Sequence, residues 1–275
     1  MNVAVVGHVE HIEFARVDHV PAPGEIIHAD STFAVPAGGG AVTAVQLLKL
    51  AGSCTLYTAL GDDDLGHRTA GELRDLGLGV ETTFREGNAQ RRGFTFLDRS
   101  GERTITVIGN RLGPNRSDPL AWDELAEADA VYFSAGDADA LRTARRAKVL
   151  TATARAMPVL TKAHVELDAL IGSARDAGER YEPGSIDPPP RFVVMTAGRE
   201  GGSYRAAEGR TGRWAAAEVP GPVADAYGCG DSFAGGLTYG LGAGMDVDEA
   251  LELGARCGAW CLTGHGPYER QLVLG

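Results

Sequence analysis

The sequence predicts an α/β fold in which helices wrap a mostly parallel sheet. From residue 130 onward, stretches with strand-like and helix-like periodicity alternate. They are strands at 130–133, 149–151 and 167–171 and a helix at about 137–146. The chain also opens with Val3–Val6, a short apolar run that ends in Gly7 and is typical of a buried central strand. Together these features indicate a parallel sheet with helical crossovers.

Composition narrows the class of protein further. The 275 residues are enough for one large α/β domain, and we expect a single domain over residues 1–275. The net charge of −11, without a block of Lys or Arg, argues against a nucleic-acid partner. No apolar run approaches the ~20 residues of a membrane helix, and the N-terminus has no signal-peptide pattern. We therefore expect a cytoplasmic protein without a membrane partner.

The first hundred residues read as strands and helices in turn. Polar and apolar residues alternate from His8 through Phe14, which predicts a half-exposed strand, and Pro23-Gly24-Glu25 turns the chain back. Glycines at 38–40 then open a helix with one apolar face. After a strand at 54–60, three carboxylates at 62–64 are more typical of a solvated helix N-terminus than of a cation site.

The strands predicted after residue 90 are also short. Residues 94–97 and 104–108 form a predicted hairpin across a turn at 98–102. A buried strand is predicted at 192–195, followed by a second hairpin from 203–206 and 214–216. The last helix, at about 248–262, is apolar nearly all round and should be buried.

The stretch from Asp225 to Asp231 carries the strongest chemical signal. Its small residues form a tight loop, and apolar residues at helical spacing follow it, so the loop feeds a helix N-terminus. The amides of Gly228, Cys229 and Gly230 would there point at one spot, where the helix dipole favours an anion such as phosphate. Asp231 is placed to take a proton from a hydroxyl that attacks that phosphate.

This stretch resembles the second signature of the ribokinase-like (PfkB) family of carbohydrate and nucleoside kinases, Asp-Thr-x-Gly-Ala-Gly-Asp, with four of six specified residues identical. The resemblance implies that Asp231 is the catalytic base and that Gly228, Cys229 and Gly230 form the anion hole. It also implies ATP and Mg²⁺ as cofactors, and leaves a monovalent-cation requirement open. The expected reaction transfers the γ-phosphoryl group to a hydroxyl, a primary alcohol, of a small sugar-like substrate.

The substrate side of the resemblance lies in the first half of the chain. Family members build a small β-sheet lid over the sugar, which corresponds here to strands from about 8–35 and 90–110. Their Gly-Gly signature resembles Gly38-Gly39, with Thr43 where an Asn is usual, and Glu10 stands where ribokinases have a sugar-binding Asn. The substrate-binding residues implied are Glu10, Gly38, Gly39, Thr43, Arg92, Thr95 and Asp231.

The nucleotide side lies in the second half. Thr196, Gly198 and Gly201 match a Thr-x-Gly-x-x-Gly turn that contacts the nucleotide in the family. Gly228 and Gly230 contribute amides, and Cys257 lies on the last helix, which flanks the adenine. The family's metal-side Asn-x-x-Glu is degraded to 173–176, so that Asp176 or Glu179 would hold a water rather than the ion.

Several alternatives stay open at this level. A nucleoside kinase and a non-catalytic sugar or nucleotide sensor share the pattern, and the departures at Thr43, Ala226 and Asp176 weaken contacts in the direction of a sensor. A P-loop is absent because the chain contains no Gly-Lys pair.

The thiol of Cys229, at a helix N-terminus, would be oxidation-sensitive if its pKa were lowered. An exposed lid sheet also makes a homodimer through the lid plausible.

Overall fold

The computed structural model describes residues 1–274, and these form two β-sheets and six α-helices. The strands are β1 (Val3–Val6), β2 (Glu10–Arg16), β3 (Ser31–Ala37), β4 (Thr55–Gly61), β5 (Gly79–Arg85), β6 (Arg92–Leu97), β7 (Arg103–Ile108), β8 (Ala130–Phe133), β9 (Val149–Thr153), β10 (Ala169–Ser173), β11 (Phe192–Thr196), β12 (Gly202–Ala206) and β13 (Thr211–Trp214). The helices are α1 (Gly38–Ala51), α2 (Asp64–Asp75), α3 (Ala138–Ala144), α4 (Met157–Ala163), α5 (Cys229–Gly242) and α6 (Val247–Cys261).

The larger sheet has nine strands in the order β13-β12-β11-β10-β9-β8-β1-β4-β5. The seven strands from β11 to β5 are parallel to one another, and β12 and β13 add an antiparallel hairpin at one edge. The carboxyl ends of the parallel strands therefore meet at one edge of the sheet, which is where open α/β sheets bind ligands. The predicted mostly parallel α/β fold is confirmed.

Helices cover both faces of this sheet. Val3 and Val5 of β1 pack into a core with α1, α2, α5 and α6. Ala4 and Val6 point the other way, into a core with α3 and α4. Because side chains alternate along a strand, a continuous apolar run such as β1 is what a strand buried on both faces needs. No helix within residues 1–274 is both long and apolar enough to cross a membrane.

A separate four-stranded sheet, in the order β3-β2-β6-β7, forms the predicted lid. The expectation that its first strand is half-exposed was wrong, because in β2 the side chain of Glu13 alone is exposed. The polar residues of β2 are buried with partners: Glu10 pairs with Arg91 at 2.6 Å and His11 with Glu72 at 3.0 Å. The alternating polar residues of β2 are therefore buried groups with hydrogen-bonding partners, and they do not form a face open to solvent.

The outer edge of the lid is open. All six residues of β7 are exposed, including Ile105 at 39% and Val107 at 45%. Because β7 pairs with β6 on one side, its other side carries the unpaired hydrogen-bonding groups of an edge strand. The lid contacts α1 and α2 through β2 and β3, and the outer edge of β7 has no neighbouring strand within residues 1–274.

Three sequence expectations need correction. Helix α6 is amphipathic, not apolar all round, because its acidic first turn and Arg256 face solvent. Strands β9 and β10 continue two residues beyond the predicted apolar runs, to Thr153 and Ser173, since polar residues at the site edge end both strands. Strand β5 and helix α4 were not predicted, the first because it is polar and half-buried, the second because it has a proline in its first turn.

Candidate active site

The N-terminus of α5 is shaped by contacts that exclude any side chain at Gly228. This residue has φ +82°, and a Cβ there would lie 3.0 Å from Pro267 and 3.1 Å from Val42. The preceding turn is held by Asp225, which is fully buried and accepts hydrogen bonds from the Tyr227 amide at 2.8 Å and the Gly266 amide at 3.0 Å. The sequence alone assigned no role to Asp225. In the structure, its carboxylate holds the turn that orients the amides.

The space above this helix end is open. A Cβ added to Gly230 would meet no atom within 4 Å, and the residue is exposed. The first amides of an α-helix have no intrahelical acceptor, so those of Cys229 and Gly230 are available to a ligand, as is the positive end of the helix dipole. The predicted anion hole therefore coincides with a ligand-accessible helix N-terminus.

Asp231 lies in the first turn of α5, partly exposed on its open side and surrounded by protein elsewhere. Burial raises the pKa of its carboxyl to about 6, against the opposing effect of the Arg103 guanidinium. Its Oδ1 lies 3.1 Å from where a Cβ on Gly39 would be, so α1 passes directly beneath the carboxylate. A carboxyl with this pKa is largely ionised at pH 7 and still basic enough to accept a proton.

Helix α1 supports the same site from below. Gly38 has φ +85° and donates its amide to the Tyr227 hydroxyl at 3.3 Å, which links the two glycine turns. The hydroxyl of Thr43 donates to the main-chain carbonyl of Asp231 at 3.1 Å. The predicted hydrogen bond from Thr43 to substrate is therefore replaced by a structural one, because the fully buried hydroxyl is committed to α5.

The first lid strand brings a buried ion pair to the site. Glu10 accepts from Nε of Arg91 at 2.6 Å, and a Cβ on Gly38 would lie 3.3 Å from the Glu10 side chain. Arg92, the arginine implied as a substrate contact, is exposed, and its neighbour Arg91 turns inward; contact between Arg92 and substrate stays a prediction. In a strand, neighbouring side chains point to opposite faces, and the sequence alone did not say which face was inner.

His8 lies between the glycines of α1 and a second arginine. Arg111 donates to Nδ1 of His8 at 2.9 Å, so that nitrogen is the acceptor and the proton of the neutral ring is on Nε2. Burial, and next the Arg111 charge, lower the pKa of His8 well below its ordinary value. His8 is therefore neutral at pH 7. Neither residue was a sequence candidate.

Arg103 is the lid residue that approaches the base. Its guanidinium donates to the Ala226 carbonyl at 2.6 Å and lies 5.8 Å from the centre of the Tyr227 ring. It lowers the pKa of Asp231 more than any other charge does. Thr95, on the neighbouring strand, is fully buried, and within residues 1–274 its hydroxyl has no hydrogen-bond partner. Its contact with substrate stays a prediction.

The predicted nucleotide turn follows β11. Gly198 and Gly201 both have positive φ, at +62° and +78°, and a Cβ on Gly201 would lie 2.0 Å from the Trp214 carbonyl. The Thr196 hydroxyl donates to the Gly172 carbonyl at 3.2 Å. These residues therefore shape a tight turn at the carboxyl edge of the sheet, and their contact with a nucleotide stays a prediction.

Cys257 does not reach this surface. Its side chain is fully buried against α5, where a Cβ on Gly236 would lie 2.7 Å from its Sγ. Burial raises its pKa to about 12. The nucleotide contact predicted for Cys257 is thus corrected to a packing role, because close contact between α5 and α6 places the thiol in the core.

The acidic pair near the degraded motif is held by Arg155. Asp176 forms an ion pair with this arginine and accepts from the Gly178 amide at 2.8 Å, while Glu179 pairs with Nε of Arg155 at 2.6 Å. The Glu179 charge raises the pKa of Asp231, whereas Asp176 is not among the main influences on it. Of the two carboxylates, Glu179 therefore has the stronger effect on the pKa of Asp231. Within residues 1–274, no group of three or more metal-ligating side chains is found.

The thiol of Cys229 is not activated. A hydrogen bond with Cys261, followed by burial, raises the pKa of Cys229 well above its ordinary value. The hypothesis of a lowered pKa at the helix N-terminus was therefore wrong, since the neighbouring thiol and the loss of water outweigh the dipole.

Comparisons with known proteins identify the family of this chain. A model described as "pfkB family carbohydrate kinase" matches residues 1–183 and 159–272. The chain is similar to an ATP-dependent ribose-1-phosphate kinase of Halopiger xanaduensis, 27% identical over 277 residues that cover 94% of this chain and 91% of the relative. It is also similar to a ribokinase of Dictyostelium discoideum, 33% identical over 109 residues, or 39% of this chain and 34% of that relative's length.

Among solved structures, the chain resembles a microbiome-derived acarbose kinase, Mak1, with a TM-score of 0.82 and 24% identity. The match covers 99% of this chain and 96% of the other. At this identity the likeness shows a shared fold, and it supports the sheet order and lid described above.

Proposed function

The chain belongs to the pfkB family of carbohydrate kinases, and we propose that it transfers the γ-phosphoryl group of ATP to a hydroxyl, a primary alcohol, of a small sugar-like substrate. One observation carries the proposal. Asp231, with a pKa raised to about 6, lies in the same helical turn as the accessible amides of the anion hole. A base and an anion cradle within one turn are what in-line transfer from phosphate to a hydroxyl requires.

In this mechanism the residues of the chain act in sequence. Asp231 accepts the proton of the attacking hydroxyl as that oxygen approaches the phosphoryl group. The amides of Gly228, Cys229 and Gly230 and the α5 dipole stabilise the charge that spreads over the phosphoryl oxygens. Arg103 adds a positive charge from the lid, close enough to act on Asp231.

The substrate is held on the opposite side by α1 and the lid. Gly38 and Gly39 let main-chain groups approach sugar hydroxyls closely, and the Glu10 carboxylate, oriented by Arg91, accepts further hydrogen bonds from them. Thr95 supplies a hydroxyl that has no partner within residues 1–274.

We expect the nucleotide to bind at the turn after β11, with its phosphates directed toward the N-terminus of α5. Magnesium, if bound with ATP, would supply positive charge that offsets the charge of the nucleotide phosphates. The donor chemistry fits this ion, because Mg²⁺ keeps most of its waters and needs one or two carboxylates. We propose that Glu179, in place of Asp176, would hold the ion through its waters: both pair with Arg155, but Asp176 also accepts a main-chain amide and is not among the main influences on the pKa of Asp231.

The case for a non-catalytic sensor is weaker once the departures are located. Thr43 holds the carbonyl of Asp231, and the Ala226 carbonyl receives Arg103. The Thr43 side chain therefore supports the base and need not be explained as a lost contact, whereas the Ala226 contact is made by the main chain and does not depend on the side chain at that position. A nucleoside kinase would carry out the same reaction on a different substrate, so the same assay distinguishes this alternative. A homodimer through the lid stays a prediction; the exposed β7 edge supports it.

The experiment that tests the proposal measures ATP turnover by the wild type and by Asp231→Asn on pentoses, hexoses, sugar phosphates and nucleosides. Thermal-shift binding is read in parallel. We expect turnover on one class, lost by about 10²- to 10⁴-fold in the variant, as is typical of a general base. Binding should persist, because asparagine keeps the shape of the side chain. Binding without turnover in the wild type, across all classes, would favour the sensor.

A further inference from the structure

A cavity of about 420 Å³ lies at the carboxyl edge of β8 and β9, next to the site described above. Its walls come from the segment after β7, the ends of β8 and β9 and the start of α4. The polar side chains that line it are Arg85, Arg111, Asn115, Ser134, Asp137 and Arg155. The mechanism described above gives none of these side chains a contact with substrate.

Two of the three arginines at the cavity are already paired with carboxylates. Arg85 forms a bidentate pair with Asp118, at 2.6 and 2.7 Å. Arg155 is paired with both Asp176 and Glu179. These groups build the wall, and their ion pairs leave them little capacity to attract a charged ligand.

Arg111 differs from the other two arginines. Within residues 1–274 it forms no salt bridge, and its contacts are Nδ1 of His8 at 2.9 Å and the Ser134 carbonyl at 3.3 Å. The lowered pKa of His8 keeps that ring neutral, so within the described residues no protein group in contact with the exposed Arg111 side chain carries a compensating charge. The Ser134 hydroxyl is buried, 1% exposed, and also has no partner within the described residues.

The cavity is close enough to the base for one substrate to use both. Arg111 touches His8, and a Cβ on Gly39 would lie 3.6 Å from Cε1 of His8 and 3.1 Å from Oδ1 of Asp231. One imidazole ring and one glycine therefore separate the unpaired guanidinium from the base. A single sugar with a substituent can bridge that separation.

We propose that the substrate carries an anionic group, a phosphate or a carboxylate, besides the hydroxyl that is phosphorylated, and that this cavity is its subsite with Arg111 as the binding cation. A guanidinium offers planar, bidentate hydrogen bonding to either group. The Asn115 amide adds a neutral donor among the residues that line the cavity. This inference rests on the proposed kinase function and deepens it.

The test compares kcat/KM for matched substrates: pentoses and hexoses, their monophosphates and the corresponding aldonates. The variants are Arg111→Met, Arg111→Lys and, as a control, Arg213→Met, an exposed arginine on β13 that forms no salt bridge within residues 1–274. The wild type should prefer an anionic member. Arg111→Met should lower kcat/KM for that member about 30-fold or more, as for a truncated charge partner, and by less than about threefold for the neutral sugar.

Arg111→Lys should recover part of the loss, because it restores the charge without the planar fork. Arg213→Met should change neither value. Preference for monophosphates over aldonates, or the reverse, identifies the group. Turnover of neutral sugars that Arg111→Met leaves unchanged, with no anionic preference in the wild type, would overturn the subsite and leave the kinase intact.

A failure of the kinase itself looks different. If no substrate turns over, thermal-shift binding of the same anionic sugars still tests the subsite: a midpoint shift lost in Arg111→Met supports it, and a shift that persists contradicts it.

Discussion

The floor of the site and its lid are built by different means. We call the first turns of α1 and α5 the floor; there, close main-chain approach fixes the geometry, as at Gly228, where a Cβ would lie 3.0 Å from Pro267. The lid reaches the base with a side chain, Arg103, from a strand whose residues are all exposed. At Gly228 and Gly39 the floor therefore cannot accept an added atom without a shift of its neighbours, whereas the exposed side chains of β7 can change more freely.

This difference assigns the chemical step to the floor and the recognition of the substrate to the lid. Proton transfer and charge stabilisation depend on positions held within fractions of an ångström, which packed main chain provides. Recognition of one sugar among many depends on a few side chains at the rim, which can change without disturbing the floor. Changes in the floor should therefore affect kcat strongly, and changes in the lid should act more weakly or through the protonation state of Asp231.

The largest effect is expected from Gly39→Ala in the floor. The new methyl would lie 3.1 Å from Oδ1 of Asp231, so the carboxylate must move. A misplacement of ~1 Å costs about 10²-fold in rate, and this contact requires a shift of a few tenths of an ångström, so kcat should fall about tenfold or more. The matched control is Gly71→Ala in α2, where a Cβ meets no atom within 4 Å. It should leave kcat unchanged and stabilise the fold by about 1 kcal/mol, read as a higher Tm. Equal kcat values for the two variants would show that the floor is not tightly set.

A smaller effect, with a signature in pH, is expected from Arg103→Gln in the lid. In the wild type, kcat/KM should fall as the pH drops below about 6, because protonated Asp231 cannot accept a proton. Arg103 favours the carboxylate, so its loss should raise this pKa and move the acid limb to higher pH. The value of kcat/KM at pH 8 should fall about tenfold, as for one hydrogen bond to a charged group.

The control for this change is Arg99→Gln, in the turn between β6 and β7. Arg99 pairs on the surface with Asp18 and has no resolved influence on Asp231. Its profile should match that of the wild type. An acid limb that stays in place in Arg103→Gln would mean that the lid does not act on the base.

The smallest effect is expected from Cys229→Ala, which restores the residue usual in the signature. The chemistry uses the amide at this position, while the thiol faces Cys261. We expect kcat/KM within about threefold of the wild type, since exchanges of small side chains cost ~0.5 kcal/mol or less. A loss of tenfold or more would show that the thiol itself takes part.

The sequence by itself determined the fold class and the position of the base. The apolar run of β1 and the alternation after residue 130 are local patterns that a parallel sheet imposes on any chain. The glycines around Asp231 are equally local, because a turn that places amides at a helix N-terminus restricts the residues it can contain.

Tertiary structure alone decided which side chains face the site. Arg91 rather than Arg92 turns inward, Thr43 binds α5, and Cys257 lies in the core, because each outcome depends on an element distant in the chain. The unpaired state of Arg111 likewise depends on which carboxylates reach its neighbours. A sequence states which groups are present; the partner that neutralises or orients each one is set when the sheet brings separate segments together.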